Sequence, residues 1–266
     1  MEVTIMQIGA QLYTVRKHFT NLEDFDQGLK STADIGYKAV QVSGTCAYDA
    51  YWLRDELQKY DLTCAITHIP PERLMNELDK VVADHNVFGC KNIGIGGIPA
   101  PWWGSMEGYY EFRKVFIPIA EKMRDMGSKL MFHNHAIEFE DHNGDNIFNR
   151  LLEDFPEDAL EFTLDCGWAD FAGQDVPKLI DSLKGRLSRI HLKDYADLPA
   201  DGSIEKAPYM RPIYEGKMDY DAIIRALKNA GTEYALVEQD NCYDEEPFEC
   251  LRRSYNNVIA RFPEMK

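Results

Sequence analysis

Residues 129–140 read KLMFHNHAIEFE. An apolar run (Leu130, Met131, Phe132) ends in two imidazoles and two carboxylates: His133, His135, Glu138 and Glu140. Side chains of these types move protons, hold hydroxyls or ligate divalent cations. The mixture recurs where other apolar runs end. Gln11 closes the first run, Gln41 and Ser43 the second, and His68 the third. Asp165 closes the sixth, His191, Lys193 and Asp194 the seventh, and Glu238, Gln239 and Asp240 the eighth.

Singly, each residue has an ordinary explanation. A strand-end histidine is often just hydrogen-bonded, Asp165 can cap the helix that follows it, and Lys193–Asp194 can be a surface pair worth little. Gathered in one place, however, several buried carboxylates repel one another, and burying each is costly. A divalent cation resolves that conflict. Oxygen and nitrogen donors without thiolate suit Mn²⁺, Mg²⁺, Co²⁺ or Zn²⁺.

The elements that must position these residues follow from the apolar pattern. Short β-rich runs lie at 5–15, 38–44, 62–69, 91–97, 129–135, 160–167, 187–194 and 234–240, most of them preceded by a turn residue. Between them, apolar residues recur at spacings of three and four, as in Phe25, Leu29, Thr32 and Ala33, or Phe116, Ile119, Met123 and Met126. That is the amphipathic-helix signal. Strands alternating with helices imply right-handed βαβ units and a parallel sheet. Eight such units fit a closed α/β barrel, a single (β/α)8 TIM barrel domain over residues 1–266, better than an open sheet. Catalysis in such barrels sits at the C-terminal strand ends, where the polar residues cluster. Two connections are long: 97–112, with Trp102, Trp103, Tyr109 and Tyr110, and 195–219. The aromatics of the first argue for a folded lid or a surface for homo-oligomer contact.

Composition excludes several classes of partner. With 45 acids against 29 bases the formal charge is −16, so no basic stripe is available to displace counterions from nucleic acid. No apolar run approaches the ~20 residues needed to cross a bilayer, and the N-terminal residues lack the pattern of a signal peptide. Six scattered cysteines without a CxxC look like reduced thiols in a cytoplasmic protein.

The strand-end residues lie in IGAQLYTVR, GYKAVQVSG, FHNHAIEFE, TLDCGWADFAGQD, GRLSRIHLKDY, EGKMDYDAII and VEQD. In this order they resemble the sugar phosphate isomerase/epimerase superfamily, the xylose isomerase-like TIM barrels, over nearly the whole chain. HNHxxEF, LDxGW and HLKD together are fairly specific for the superfamily and not for a substrate. The resemblance implies one divalent ion held by a Glu of the fifth strand region, an Asp after the sixth, a His after the seventh and a Glu after the eighth. Asp165, His191 and Glu238 carry over directly. Many members have the first Glu on the strand, where His133 stands here; Glu138 is then the expected ligand, with His135 and next His133 as alternatives.

The implied chemistry is isomerisation or epimerisation of a small-molecule ketose or related keto-sugar. One carboxylate removes the proton α to the carbonyl and a second group returns it, with Glu138 and Glu238 as the expected pair. Lys193 is placed to polarise the oxyanion and His135 to act as acid. His68, His133, Gln11 and Trp168 are candidates for substrate contacts. β-Elimination of water or an aglycone, making the protein a lyase or dehydratase, is the alternative. Phosphodiester hydrolysis, known for DNA-repair endonucleases on this barrel, fits poorly with the charge of −16.

Overall fold

A computed structural model describes residues 5–200, 202 and 208–266. Its framework is eight parallel strands closed into a barrel, flanked by helices in a single domain. In chain order the strands are β1 (Gln7–Gln11), β2 (Ala39–Val42), β3 (Thr63–His68), β4 (Asn92–Ile95), β5 (Lys129–His133), β6 (Leu160–Asp165), β7 (Arg189–Leu192) and, after a small ribbon, β10 (Tyr234–Val237). Each pairs with its sequence neighbour, and β10 closes the ring onto β1, with Gln7 opposite Tyr234 and Ala10 opposite Val237.

The helices are α1 (Leu22–Ile35), α2 (Ala50–Lys59), α3 (Pro71–Val87), α4 (Met106–Asp125), α5 (Ile147–Asp154), α6 (Cys166–Phe171), α7 (Val176–Ser182), α8 (Tyr220–Ala230) and α9 (Pro247–Arg261). Most begin at a side chain that accepts a free N–H of the first turn: Asn21, Asp49, Ser105, Asn146, Asp165, Asp175 and Asp219 all do so. No helix among the described residues is long and apolar enough to cross a membrane.

The two-residue period of a strand divides the work. Phe132, Leu164, Leu192 and Val237 point outward and join the large core packed between strands and helices. Their chain neighbours His133, Asp165, His191 and Glu238 therefore point into the barrel. Lower in the barrel the inward positions form a small apolar plug of Ala39, Ala65, Ile66, Met131 and Leu236. The plug seals the bottom, and polar residues take over toward the mouth. Between β2 and β3 the register shifts at Val40/Gln41, where Ala65 is an extra residue in β3, and Gln41 faces inward by the regular alternation of β2.

Three expectations change. The first run stops being a strand at Gln11, whose side chain accepts from Tyr13 N at 3.1 Å and opens a 3₁₀ helix, Leu12–His18. Two of the aromatics of 97–112 join the core instead of a lid, because α4 starts within that stretch. Tyr109 is fully buried with its hydroxyl donating to Asp154, and Trp102 packs edge-on against Phe112. The connection 195–219 holds a ribbon of β8 (Asp194–Ala196) paired antiparallel with β9 (Tyr209–Arg211). The buried Asp194 carboxylate anchors it, accepting backbone N–H groups of Tyr195, Tyr214, Gly216 and Met218 at 2.8–3.3 Å.

Candidate metal centre

His133, Asp165, His191 and Glu238 converge from β5, β6, β7 and the end of β10. Each offers a ligand-type atom, and these atoms lie within 4.8 Å of one another. None of the four residues is more than 5% exposed. Asp165 and His191 are register partners on adjacent strands. His133 Nε2 lies 3.3 Å from Asp165 Oδ2, and His191 Nδ1 lies 2.9 Å from Glu238 Oε2.

Lys193 is the counter-charge. Its ammonium, 3% exposed, sits 2.7 Å from Asp165 Oδ2, 3.0 Å from Glu238 Oε2 and 2.9 Å from Asp240 Oδ2. Burial alone would raise the carboxyls of Asp165 and Glu238, yet Lys193 and the neighbouring imidazoles hold both well below the ordinary carboxylate range. Burial also works against charge on His191, but Glu238 and Asp165 raise it to about 9. His68 and His135 go the other way. Burial and the nearby His133 lower both, His135 to about 3, so they are neutral imidazoles at neutral pH.

The donor set fits a divalent cation on structural grounds. His191 Nε2 faces Gln41 Oε1 at 2.6 Å, which leaves Nδ1 as the free ring nitrogen. His133 Nδ1 is buried without a hydrogen-bond partner, and His191 Nδ1 and Glu238 Oε2 form no well-aligned hydrogen bond although they lie 2.9 Å apart, with the Lys193 ammonium 3.0 Å from Glu238 Oε2. Unpartnered buried polar atoms are costly, and a shared cation satisfies them together. Two imidazoles and two carboxylates without thiolate are donors for Mn²⁺, Co²⁺ or Zn²⁺, and less so for Mg²⁺.

Above the cluster lies a cavity of about 340 Å³, in the range of small-molecule sites. Gln11, His68, His133, His135, Trp168 and Glu238 line it. Lys193 lies below, and its Nζ is 5.6 Å from the centre of the Trp168 ring. Trp103 meets the His135 ring edge-on at 5.3 Å between centres.

Glu138 is not brought into this group. Ile137–Phe139 form a single 3₁₀ turn, and the Glu138 carboxylate folds back to accept from His135 N at 2.7 Å. Phe139 stacks on Phe148 and fixes that orientation. Burial raises the Glu138 carboxyl to about 7. Glu140 is exposed.

Three contributors are given no particular task by the sequence alone. Gln41 orients His191, and its place at a strand end was the available signal. Asn134, between the two histidines, accepts from Asp165 N at 2.9 Å and so pins the end of β6 to β5. Arg16 donates to Asp240 O at 3.0 Å and lines the cavity rim, a contact across 224 residues that no local pattern announces.

Fold and site together define a (β/α)8 barrel with a buried cluster at its mouth that could hold a metal ion. Residues 29–253 match the profile of the xylose isomerase-like TIM barrel, and the chain belongs to that family. A sugar phosphate isomerase/epimerase from Parabacteroides distasonis superposes with a TM-score of 0.78 at 19% identity, covering 100% of this chain and 97% of that one. The probable 3-DHS dehydratase AsbF from Bacillus anthracis gives 0.72 at 15% identity, covering 96% and 99%. A D-allulose 3-epimerase from Methylomonas gives 0.68 at 13%, covering 97% and 98%. Identities this low show a shared fold. No curated protein sequence matches the chain significantly.

Proposed function

We propose that the protein isomerises or epimerises a keto-sugar, with a divalent cation held by His133, Asp165, His191 and Glu238. The observation that carries this reading is the buried convergence of those four side chains, within 4.8 Å, beneath a cavity of about 340 Å³. His133 takes the position in the ligand set for which the sequence favoured Glu138. When bound, the cation supplies Lewis-acid polarisation of the substrate carbonyl.

The chain's own residues supply the rest. Glu238, kept ionised by Lys193 and His191, takes the proton α to the carbonyl. His135, neutral at rest and on the same cavity wall, replaces Glu138 as the second proton-transfer group: it takes up a proton and, as the imidazolium, returns it to the neighbouring carbon or the opposite face. The Lys193 ammonium offsets negative charge as it develops on the substrate oxygens. Gln11 and His68 face the sugar hydroxyls, and the Trp168 indole offers an apolar surface to the ring. Six free cysteines fit a reducing compartment, which makes the cytoplasm the proposed location.

A second reading, elimination of a leaving group β to the carbonyl, is favoured by His135 itself. Its ring centre is 4.8 Å from that of His133, and a neutral imidazole there can take up the proton removed from the substrate and, as the imidazolium so formed, hand it to a departing oxygen. Products separate the two: isomers of equal mass, or loss of water or an aglycone.

The direct test is exchange of the substrate α-proton with solvent deuterium, followed across a panel of keto-sugars. Exchange in the wild type that disappears in Glu238→Gln, with the circular dichroism spectrum preserved, is the expected result. Normal exchange in Glu238→Gln overturns the assignment.

A further inference from the structure

We propose that the sugar substrate carries an uncharged aromatic substituent, and that this substituent lies in a second cavity between the β2–α2 and β3–α3 connections. The inference rests on the keto-sugar reading and names the class of sugar. The second cavity measures about 620 Å³ and is larger than the first. Ser43 and His68 line both, so the two cavities adjoin at these residues. A substituent on a monosaccharide over the cluster that is directed past Ser43 and His68 would lie on the side of the second cavity.

The chemistry of the walls selects what extends there. Tyr48, Ile69, Pro70 and Phe88 give flat or apolar surface. The charged residues on the rim are already matched. Lys80 Nζ is 2.5 Å from Asp84 Oδ2, Arg73 Nε is 2.9 Å from Glu77 Oε1, and Arg73 Nη2 is 3.7 Å from Asp84 Oδ2. A phosphate or carboxylate would have to take a cation from one of these pairs. An aromatic ring gains from leaving water without disturbing them. His85, at the far end, is also satisfied: its ring nitrogens lie 2.8 Å from Thr67 Oγ1 and 2.7 Å from Val81 O. It is held by the fold and calls for no ligand.

Cys46 provides the handle. It lines the second cavity and not the first, and it is partly exposed while the other five cysteines are buried. The probes are phenyl and methyl β-D-glucopyranoside, with the matching galactoside and xyloside pairs, titrated calorimetrically into the wild-type protein. At least one phenyl glycoside should bind about tenfold more tightly than its methyl counterpart. That advantage should fall below about threefold in Cys46→Trp and in Ala47→Phe, with methyl-glycoside affinity unchanged within about twofold. Alkylating Cys46 with N-ethylmaleimide in the folded wild type should do the same, which covers any variant that fails to fold. Equal affinity within every pair, absence of phenyl-glycoside binding, or an advantage that survives all three ways of filling the cavity overturns the proposal. These readouts involve no turnover. Failure of the keto-sugar reading would instead appear as absent α-proton exchange.

Discussion

Gln41 Oε1 and His191 Nε2 face each other at 2.6 Å across the barrel, from strands that are not neighbours. The alternation of β2 turns the amide into the barrel, and the amide sets the ring's direction. In the neutral ring this contact keeps the proton on Nε2 and leaves Nδ1 free for a cation. Gln41→Leu should therefore weaken divalent-cation affinity by about 10- to 100-fold. Calorimetric Mn²⁺ titration checks this, and an unchanged affinity contradicts it.

Lys193 neutralises a group of buried carboxylates, so its removal should be felt first in stability. In chelator-treated protein, Lys193→Met should cost about 3–5 kcal/mol, the scale for breaking a buried ion pair from one side. Added divalent cation should restore part of the loss by supplying the missing positive charge. Urea unfolding with and without Mn²⁺ measures both. Wild-type stability in chelator would show that the ammonium is not the counter-charge.

Glu138 predicts a pH dependence with a definite sign. Its carboxyl moves from 4.5 to about 7, so the folded protein binds this proton more tightly than the unfolded chain does. The associated stability is fully present below pH 4.5, declines as pH rises, and is gone above about 7. At 1.36 kcal/mol per pH unit the whole window is worth about 3 kcal/mol. Glu138→Gln should lack this decline, and a variant that follows the wild-type curve would be evidence against it.

His85 gives the opposite slope. Burial lowers it from 6.5 to about 4, so its contribution is fully present above pH 6.5 and is lost as pH falls through about 4. The two slopes oppose one another between pH 4.5 and 6.5, so each must be read as the difference between wild type and variant. In His85→Gln, acid unfolding should begin from a lower starting stability but with a shallower fall below pH 6.5. An identical fall would show that another group sets the acid limit.

The barrel was legible because its signals are local. Eight apolar runs, seven of them ending in polar residues, follow directly from inward and outward alternation in a parallel barrel. Asp165, His191 and Glu238 were legible for the same reason: each stands next to an outward-facing apolar residue. Glu138 was expected in the cluster because residue type and nearness in sequence are visible, whereas the 3₁₀ turn that folds its carboxylate onto His135 N is not. Tyr109 reads as a loop aromatic until Ser105 is seen to accept from Gly108 N and start α4 there. Arg16 and Gln41 act across the barrel, and contacts at that separation depend on closure, which no window of sequence reports.

Asp165 divides its two oxygens between separate tasks. Oδ1 accepts from Trp168 N at 2.9 Å and caps α6, while Oδ2 faces Lys193 and His133 at 2.7 and 3.3 Å. One carboxylate thus joins the mouth of the barrel to the first turn of a helix whose third residue is an indole on the cavity wall. By reciprocity, whatever binds at Oδ2 alters the hold of Oδ1 on that turn, and the reverse. The field at Trp168 shifts with each change in charge beside it, and since Trp168 is one of four tryptophans, that shift should be read as the emission lost in Trp168→Phe.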